Sequence, residues 1–171
     1  MPTPAYLSIQ GSKQGNITSG ATTSDSIGNI YQEGHADESL IEGFSAEVII
    51  PRDPQSGQPS GQRVHQPSMV QKYFDKASPL MWQALCTGET MQMTLKFFRT
   101  SLTGTQEHYF TIKWTDAVFV DGKGMLPDVL NPQNSQYGNM ETWMFSYRKI
   151  EWTHEVAGTS GSDDWRSPVT G

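Results

Sequence analysis

The sequence predicts a mainly β protein: two packed antiparallel sheets forming a β-barrel-like sandwich, flanked by one α-helix at about Pro79 to Thr87. Three observations carry that expectation. Apolar residues recur at every second position in several separate runs, the period of a strand with one buried face. One segment alone has both a helix start and a helix stop signal. The chain is also polar for a folded protein, 35% hydrophobic with 16 Gly and 10 Pro in 171 residues and a mean hydropathy of -0.54, so its core is thin and its turns are many. That length suits a single domain over 1–171 with a real core.

The opening strand alternates Ala5, Leu7 and Ile9 with Tyr6, Ser8 and Gln10, and Gly11 breaks it. Gly11 to Ser39 reads as loops with one strand around Gly28 to Glu33. Leu40, Phe44, Ala46, Val48 and Ile50 then share one strand face opposite Gly43, Ser45 and Glu47, until Pro51 ends the run. The segment 51–66, PRDPQSGQPSGQRVHQ, holds three prolines, two glycines and four glutamines without apolar periodicity. It is an extended arm, either a long loop or a two-legged hairpin, and segments of this kind inside a compact domain are usually functional. Ser68 to Phe74 reads as a further strand.

Ser78 as cap, Pro79 at the first helical position and Gly88 as stop define a helix of about two to three turns. Leu80, Met81, Ala84 and Leu85 cover one side, and Trp82 and Cys86 widen it, so the helix should pack on a sheet with Cys86 buried and inert. Met91, Met93, Leu95 and Phe97 begin a hairpin that turns at Ser101 to Thr105. Its partner strand places Phe110, Ile112 and Trp114 opposite Tyr109, Thr111 and Lys113 and continues through Ala117 to Val120. Asp121 to Gly138, with Pro127 and Pro132, reads as loop. In the final strand Trp143, Phe145 and Tyr147 share a face before the apolar phase moves to Ile150, Trp152 and Val156. Such a slip predicts either a β-bulge near Arg148 and Lys149 or a strand buried on both faces. The tail, about 157–171, is polar and should be loose unless a surface captures its one aromatic residue, Trp165.

Charge and cysteine content exclude several function classes. A net charge of -6, from 12 basic and 18 acidic residues, argues against nucleic acid as a partner. The single cysteine rules out an internal disulfide. No basic and apolar leader opens the chain and no run is long enough to span a bilayer, so the reading is a protein made in the cytoplasm, without membrane insertion, that would leave the cell only by a route other than a cleaved signal.

No catalytic, cofactor or metal set emerges. His154-Glu155 begins a zinc-protease pattern, but its second histidine is replaced by Gly158. Glu33, His35, Asp37 and Glu38 cluster without a calcium-loop spacing. Gly158, Ser160 and Gly161 lack a nucleophile-elbow spacing, and Gly122, Lys123 and Gly124 lack the rest of a phosphate loop. Cys86 has no local activating charge, whichever of His65, His108 or His154 is set beside it.

Five blocks carry a resemblance: PAYLSIQG at 4–11, GNIYQEGHADE at 28–38, PRDPQSGQPSGQRVHQP at 51–67, GTQEHYFTIK at 104–113 and SYRKIEWTHEVAGTSGSDDW at 146–165. Together they resemble the Hcp (haemolysin-coregulated protein) family, the tube proteins of type VI secretion systems. The resemblance implies a fold like that of phage tail-tube subunits and six copies closing into a ring. Stacked rings would form a tube, expelled by a contractile sheath together with a spike protein of the VgrG type. Effector cargo would ride in the lumen, and the protein would be secreted without a signal peptide. On this reading the arm and the loop after Gly28 supply contacts between subunits or rings through Gly28, Tyr31, Glu33, Arg52, Asp53, Gln55, Gln58, Arg63 and Trp165. The polar strand positions Gln92, Thr94, Lys96, Thr111 and Lys113 face either the lumen or, on the outer wall, the sheath. Two rival readings are a soluble hydrolase with perturbed histidines and a monomeric small-ligand-binding barrel with an apolar internal cavity.

Overall fold

In the computed structural model of this protein, which describes residues 3–167, one antiparallel sheet of nine strands winds until it meets itself. β1 (Ala5–Gly11) lies between β3 (Ser39–Ser45) and β7 (Met91–Thr100). β7 turns into β8 (Gln106–Met125), β3 pairs with β6 (Ser68–Tyr73), and β6 pairs with β9 (Met140–Ser146). β9 also pairs with the second half of β8, Val118 to Met125, which closes the ring β8–β7–β1–β3–β6–β9. The expected pair of sheets is therefore joined at both sides into a barrel, because β8, twenty residues long, serves both halves. Closure pairs the six ring strands on both sides, which removes the edges that an open sheet would expose there.

Side chains fill the barrel. Leu7, Ile9, Val70, Met93, Leu95, Trp114, Trp143 and Phe145 are buried, with Trp114 edge-on to Phe145 at 4.9 Å and Phe119 against Trp143 at 4.9 Å. Each such side chain contributes about 1.5–3 kcal/mol of burial.

The helix α2 (Ser78–Thr87) packs against β8, and its Met81 and Ala84 join the same core cluster as the barrel side chains. It begins one residue earlier than expected, and Ser78 does not cap it: its hydroxyl accepts from the Asp75 amide at 3.0 Å and donates to Glu141 at 2.8 Å. Asp75 takes over at the helix start, its carboxylate accepting from the Ala77 amide at 2.9 Å. Gly88 ends the helix in the left-handed region, φ 66, as a glycine cap should. Met81 and Ala84 are buried, but Cys86 is exposed. The expectation of a buried Cys86 fails because two residues past Ala84 is about 200° around the helix, away from the barrel.

Other expectations need correction. Gly28 to Ile30 form a 3-10 turn after α1 (Ser24–Ile27), not a strand, because Gly28 leaves α1 at φ 67 and nothing alternates into the core. The strand expected to run from Leu40 to Ile50 stops at Ser45. A bulge between Ile41 and Gly43 turns it, and Val48 and Ile49 belong to β4 (Val48–Ile49), paired outside the barrel with β5 (Val64–His65). Between them the arm is the two-legged hairpin: Arg52 bridges to Pro59, and the Asp53 amide donates to Gln58 at 2.8 Å.

β8 runs past Val120 to Met125, into the segment read as loop, because β9 pairs with it there. The phase slip is an interruption. β9 ends at Ser146, opposite Val118, and β10 (Lys149–His154) begins opposite Thr115 in the same register. Across from this two-residue gap Asp116 sits at φ 53, and the register-shifting bulge lies farther on, between Phe119 and Asp121. The first half of the tail is not loose: all of β11 (Thr159–Asp164) pairs with β10. A short β2 (Gly15–Asn16) returns on β1. Tail positions 168–171 lie outside the described residues.

Candidate subunit interface

The alternation of β5 points Val64 outward and His65 inward, and His65 anchors the arm. Its Nε2 lies 2.6 Å from Asp163 and its Nδ1 2.8 Å from the Tyr147 hydroxyl. Arg63, on the same leg, donates to Asp163 through Nε at 2.6 Å and Nη2 at 2.8 Å, and to the Asp164 carbonyl at 3.2 Å. The Arg63 hydrogen bonds, with help from His65, hold the Asp163 carboxyl below its usual range despite burial. Burial pushes the Tyr147 phenol up.

Trp165 completes this clasp. Its indole N–H donates to the Tyr147 carbonyl, its amide to the Arg148 carbonyl at 3.2 Å, and its ring lies 5.8 Å from His65. Arg148 in turn donates to Asp116 at 2.7 Å and to Asp164, tying the gap between β9 and β10 to the bend in β8. Two residues expected at a subunit interface, Arg63 and Trp165, are thus brought together inside one chain.

Other expected interface residues stay outside. Gly28, Tyr31 and Glu33 are exposed on the loop after α1, and Arg52, Asp53, Gln55 and Gln58 are exposed at the arm tip. The tip is ordered by Asp53, whose carboxylate accepts from the Gln55 amide at 3.0 Å and the Ser56 hydroxyl at 2.9 Å. These bonds hold its pKa below the usual value.

Gln92, Thr94, Lys96, Thr111 and Lys113 fall on one outward face. Thr94 stands beside Lys113 and Lys96 beside Thr111 in the β7–β8 ladder. That face extends over β10 through Glu151 and Thr153 and onto β11 through Ser162 and Ser160. On its other side Ser8 and Gln10 continue it. The result is a broad polar wall.

The acidic cluster near His35 is occupied by protein partners. Glu38 takes Lys96 at 2.8 Å and lies 3.4 Å from His35, whose ring stacks on Tyr6 at 3.8 Å. Asp37 accepts from the Gly20 amide at 3.0 Å. Among the described residues no group of His, Cys, Asp and Glu is placed to hold a metal ion. His154 accepts from the Ala157 amide at 3.0 Å, and Glu155 accepts from Thr111 at 2.8 Å.

Sequence reading misses a charge cluster beneath α2. Lys72, fully buried, donates to Asp75 at 2.9 Å and Ser78 at 3.0 Å and pairs with Glu141 at 3.0 Å. Glu141 also accepts from the indoles of Trp82 at 3.1 Å and Trp143 at 3.2 Å. A lysine within an amphipathic strand, a signal visible in Ser68 to Tyr73, marks its centre. Also missed is the apolar character of the loop 126–139, where Leu126, Val129, Leu130 and Tyr137 are all exposed.

Comparison with known proteins places this geometry. A family model described as "Type VI secretion system effector, Hcp" matches residues 6–154. The chain is 58% identical, over all of both sequences, to the "Major exported protein" of Pseudomonas aeruginosa PAO1. Among solved structures it superposes on an Hcp protein crystal structure with a TM-score of 0.92 at 44% identity, covering 96% of this chain and 99% of that one. It superposes on the secreted protein Hcp3 from Pseudomonas aeruginosa with a TM-score of 0.81 at 50% identity, covering 95% and 99%.

Proposed function

We propose that this chain, which belongs to the Hcp family of type VI secretion tube proteins, closes as six copies into rings that stack into the expelled tube. The protein is secreted and is structural rather than enzymatic. The observation that carries the ring-and-stack reading is the arm, a hydrogen-bonded ribbon projecting from a closed barrel and locked at its base by Arg63, His65 and Asp163. A ribbon held this way reaches a neighbour without first being ordered, which lowers the cost of association.

In this reading Gly28, Tyr31, Glu33, Arg52, Asp53, Gln55 and Gln58 contact adjacent subunits or rings, while Arg63 and Trp165 hold the arm in position for them. The wall bearing Gln92, Thr94, Lys96, Thr111 and Lys113 faces the lumen, where polar side chains keep a water-filled channel open to effector cargo. Sheath and VgrG-type spike engage the assembled tube. The packed apolar side chains inside the barrel, among the described residues, favour the tube reading over the ligand-binding one.

Electron microscopy of the purified protein tests the assembly. Rings and stacked tubes are expected from the full chain, and rings with few or short tubes after deletion of Asp53 to Gln62. Unchanged rings and unchanged tube length in the deletion would remove the arm from the account.

A further inference from the structure

We propose that the Tyr147 hydroxyl turns between His65 and Ser68, so that the clasp holding the arm stays closed whether the His65 ring carries one proton or two. His65, Tyr147 and Ser68 are all buried. Asp163 lies 2.6 Å from Nε2 of His65, and the Tyr147 hydroxyl lies 2.8 Å from its Nδ1. Beyond Tyr147 comes Ser68, at the start of β6, whose hydroxyl has no hydrogen-bond partner of its own yet is near enough to work against the upward push of burial on the phenol. A buried polar group left unpaired costs free energy, so its presence calls for a physical reason.

Counting hydrogens supplies that reason. The Asp163 carboxylate only accepts, so Nε2 carries a proton in either state of the ring. In the neutral ring Nδ1 is then bare, Tyr147 donates to it, and the Ser68 oxygen stands spare. In the imidazolium Nδ1 carries a proton as well, and two donors would face each other across 2.8 Å unless the phenol hydrogen leaves. The Ser68 oxygen receives it, and the Tyr147 oxygen accepts from Nδ1. Both states keep their donors paired, and rotation of one O–H bond connects them.

The charged groups around the ring are committed elsewhere. Asp163, on β11, holds Arg63 at 2.6 and 2.8 Å as well as Nε2. The Arg148 guanidinium is taken by Asp116 and Asp164. Trp165 on one side and Val48, opposite His65 in the β4–β5 pair, are uncharged. On the Nδ1 side the acceptor is therefore Tyr147, and where its hydrogen goes decides whether the clasp tolerates the charge. A secreted protein meets pH values outside the cytoplasmic range, and a clasp indifferent to the state of His65 keeps the arm in place across them.

Ser68→Ala tests this in the full chain. The protection factor of the Val64 amide is followed as pH is lowered, while the nitrogen chemical shifts of the His65 ring report its second proton directly. In the parent, protection should hold while His65 takes up that proton and fall only where Asp163 titrates. In Ser68→Ala the clasped arm disfavours the charged ring and the open arm does not. Protection should therefore match the parent on the alkaline side and drop about fivefold or more as the proton enters. Tyr147→Phe, which removes the partner used in both states, should be weakly protected on either side. A Ser68→Ala profile that tracks the parent would overturn the inference, and one equally weak at every pH would reduce Ser68 to a packing residue and overturn it too. So would a His65 ring that takes no second proton before Asp163 titrates, or a Tyr147→Phe arm as protected as the parent's.

Discussion

Arg63 and Asp163, a hundred positions apart in sequence, meet through two parallel hydrogen bonds of 2.6 and 2.8 Å. The planar guanidinium fork fits a carboxylate in one orientation, so the pair fixes geometry as well as position. Through it, the base of the arm and the last strand move as one unit.

Asp163→Asn should therefore loosen the arm without unfolding the barrel. Because Arg63 holds the Asp163 carboxyl below its usual range, the stability it contributes is present above the ordinary carboxylate pKa, about 4, and is lost as pH falls through the lowered value. The protection factor of the Val64 amide should be high at neutral pH and fall only in stronger acid. In Asp163→Asn it should be low throughout, and equal protection in both proteins would count against the clasp.

Lys72→Met should be among the most destabilising single changes, costing about 3–5 kcal/mol, because it leaves two buried carboxylates, Asp75 and Glu141, without a cation. Changing all three together, Lys72→Met with Asp75→Asn and Glu141→Gln, should recover much of that loss. Urea denaturation of the two variants makes the comparison, and equal loss would show that shape rather than charge dominates there.

Gly122→Ala should destabilise by about 1–3 kcal/mol through overpacking. A Cβ at this position would lie 2.6 Å from the Trp143 ring and 3.0 Å from Leu85, both of them large groups held between α2 and β8. A melting temperature matching the parent would mean that the helix can shift outward at no cost.

Trp165→Ala should cost about 1–2 kcal/mol, given that it removes a partly exposed indole and one hydrogen bond. It should also raise proteolysis of the arm, since Trp165 lies against His65. Intact thermal stability together with an unchanged cleavage pattern would show that its docking on Tyr147 and Arg148 is incidental.

Much of this fold is legible where local physics decides it. Gly88 closes α2 because the left-handed cap favours glycine, and the β7–β8 hairpin follows from strict alternation at Met91, Met93 and Leu95. β11 escapes notice because Thr159 to Asp164 pairs through its backbone and buries no apolar side chain. The pairing of β8 with β9 that closes the barrel depends on contacts remote in sequence. So do His65 with Asp163 and Lys72 with Glu141, whose residue types are visible but whose partners are not. Cys86 misleads because an apolar residue on a short helix can extend either edge of its buried face. Ile30 and Tyr31 suggest a strand by type, yet the turn at Gly28 leaves both exposed.

Native mass spectrometry of the full chain tests the central claim most directly. The account predicts a dominant hexamer at micromolar concentration, with higher multiples of six as concentration rises. A species that remains strictly monomeric at the highest soluble concentration would contradict it.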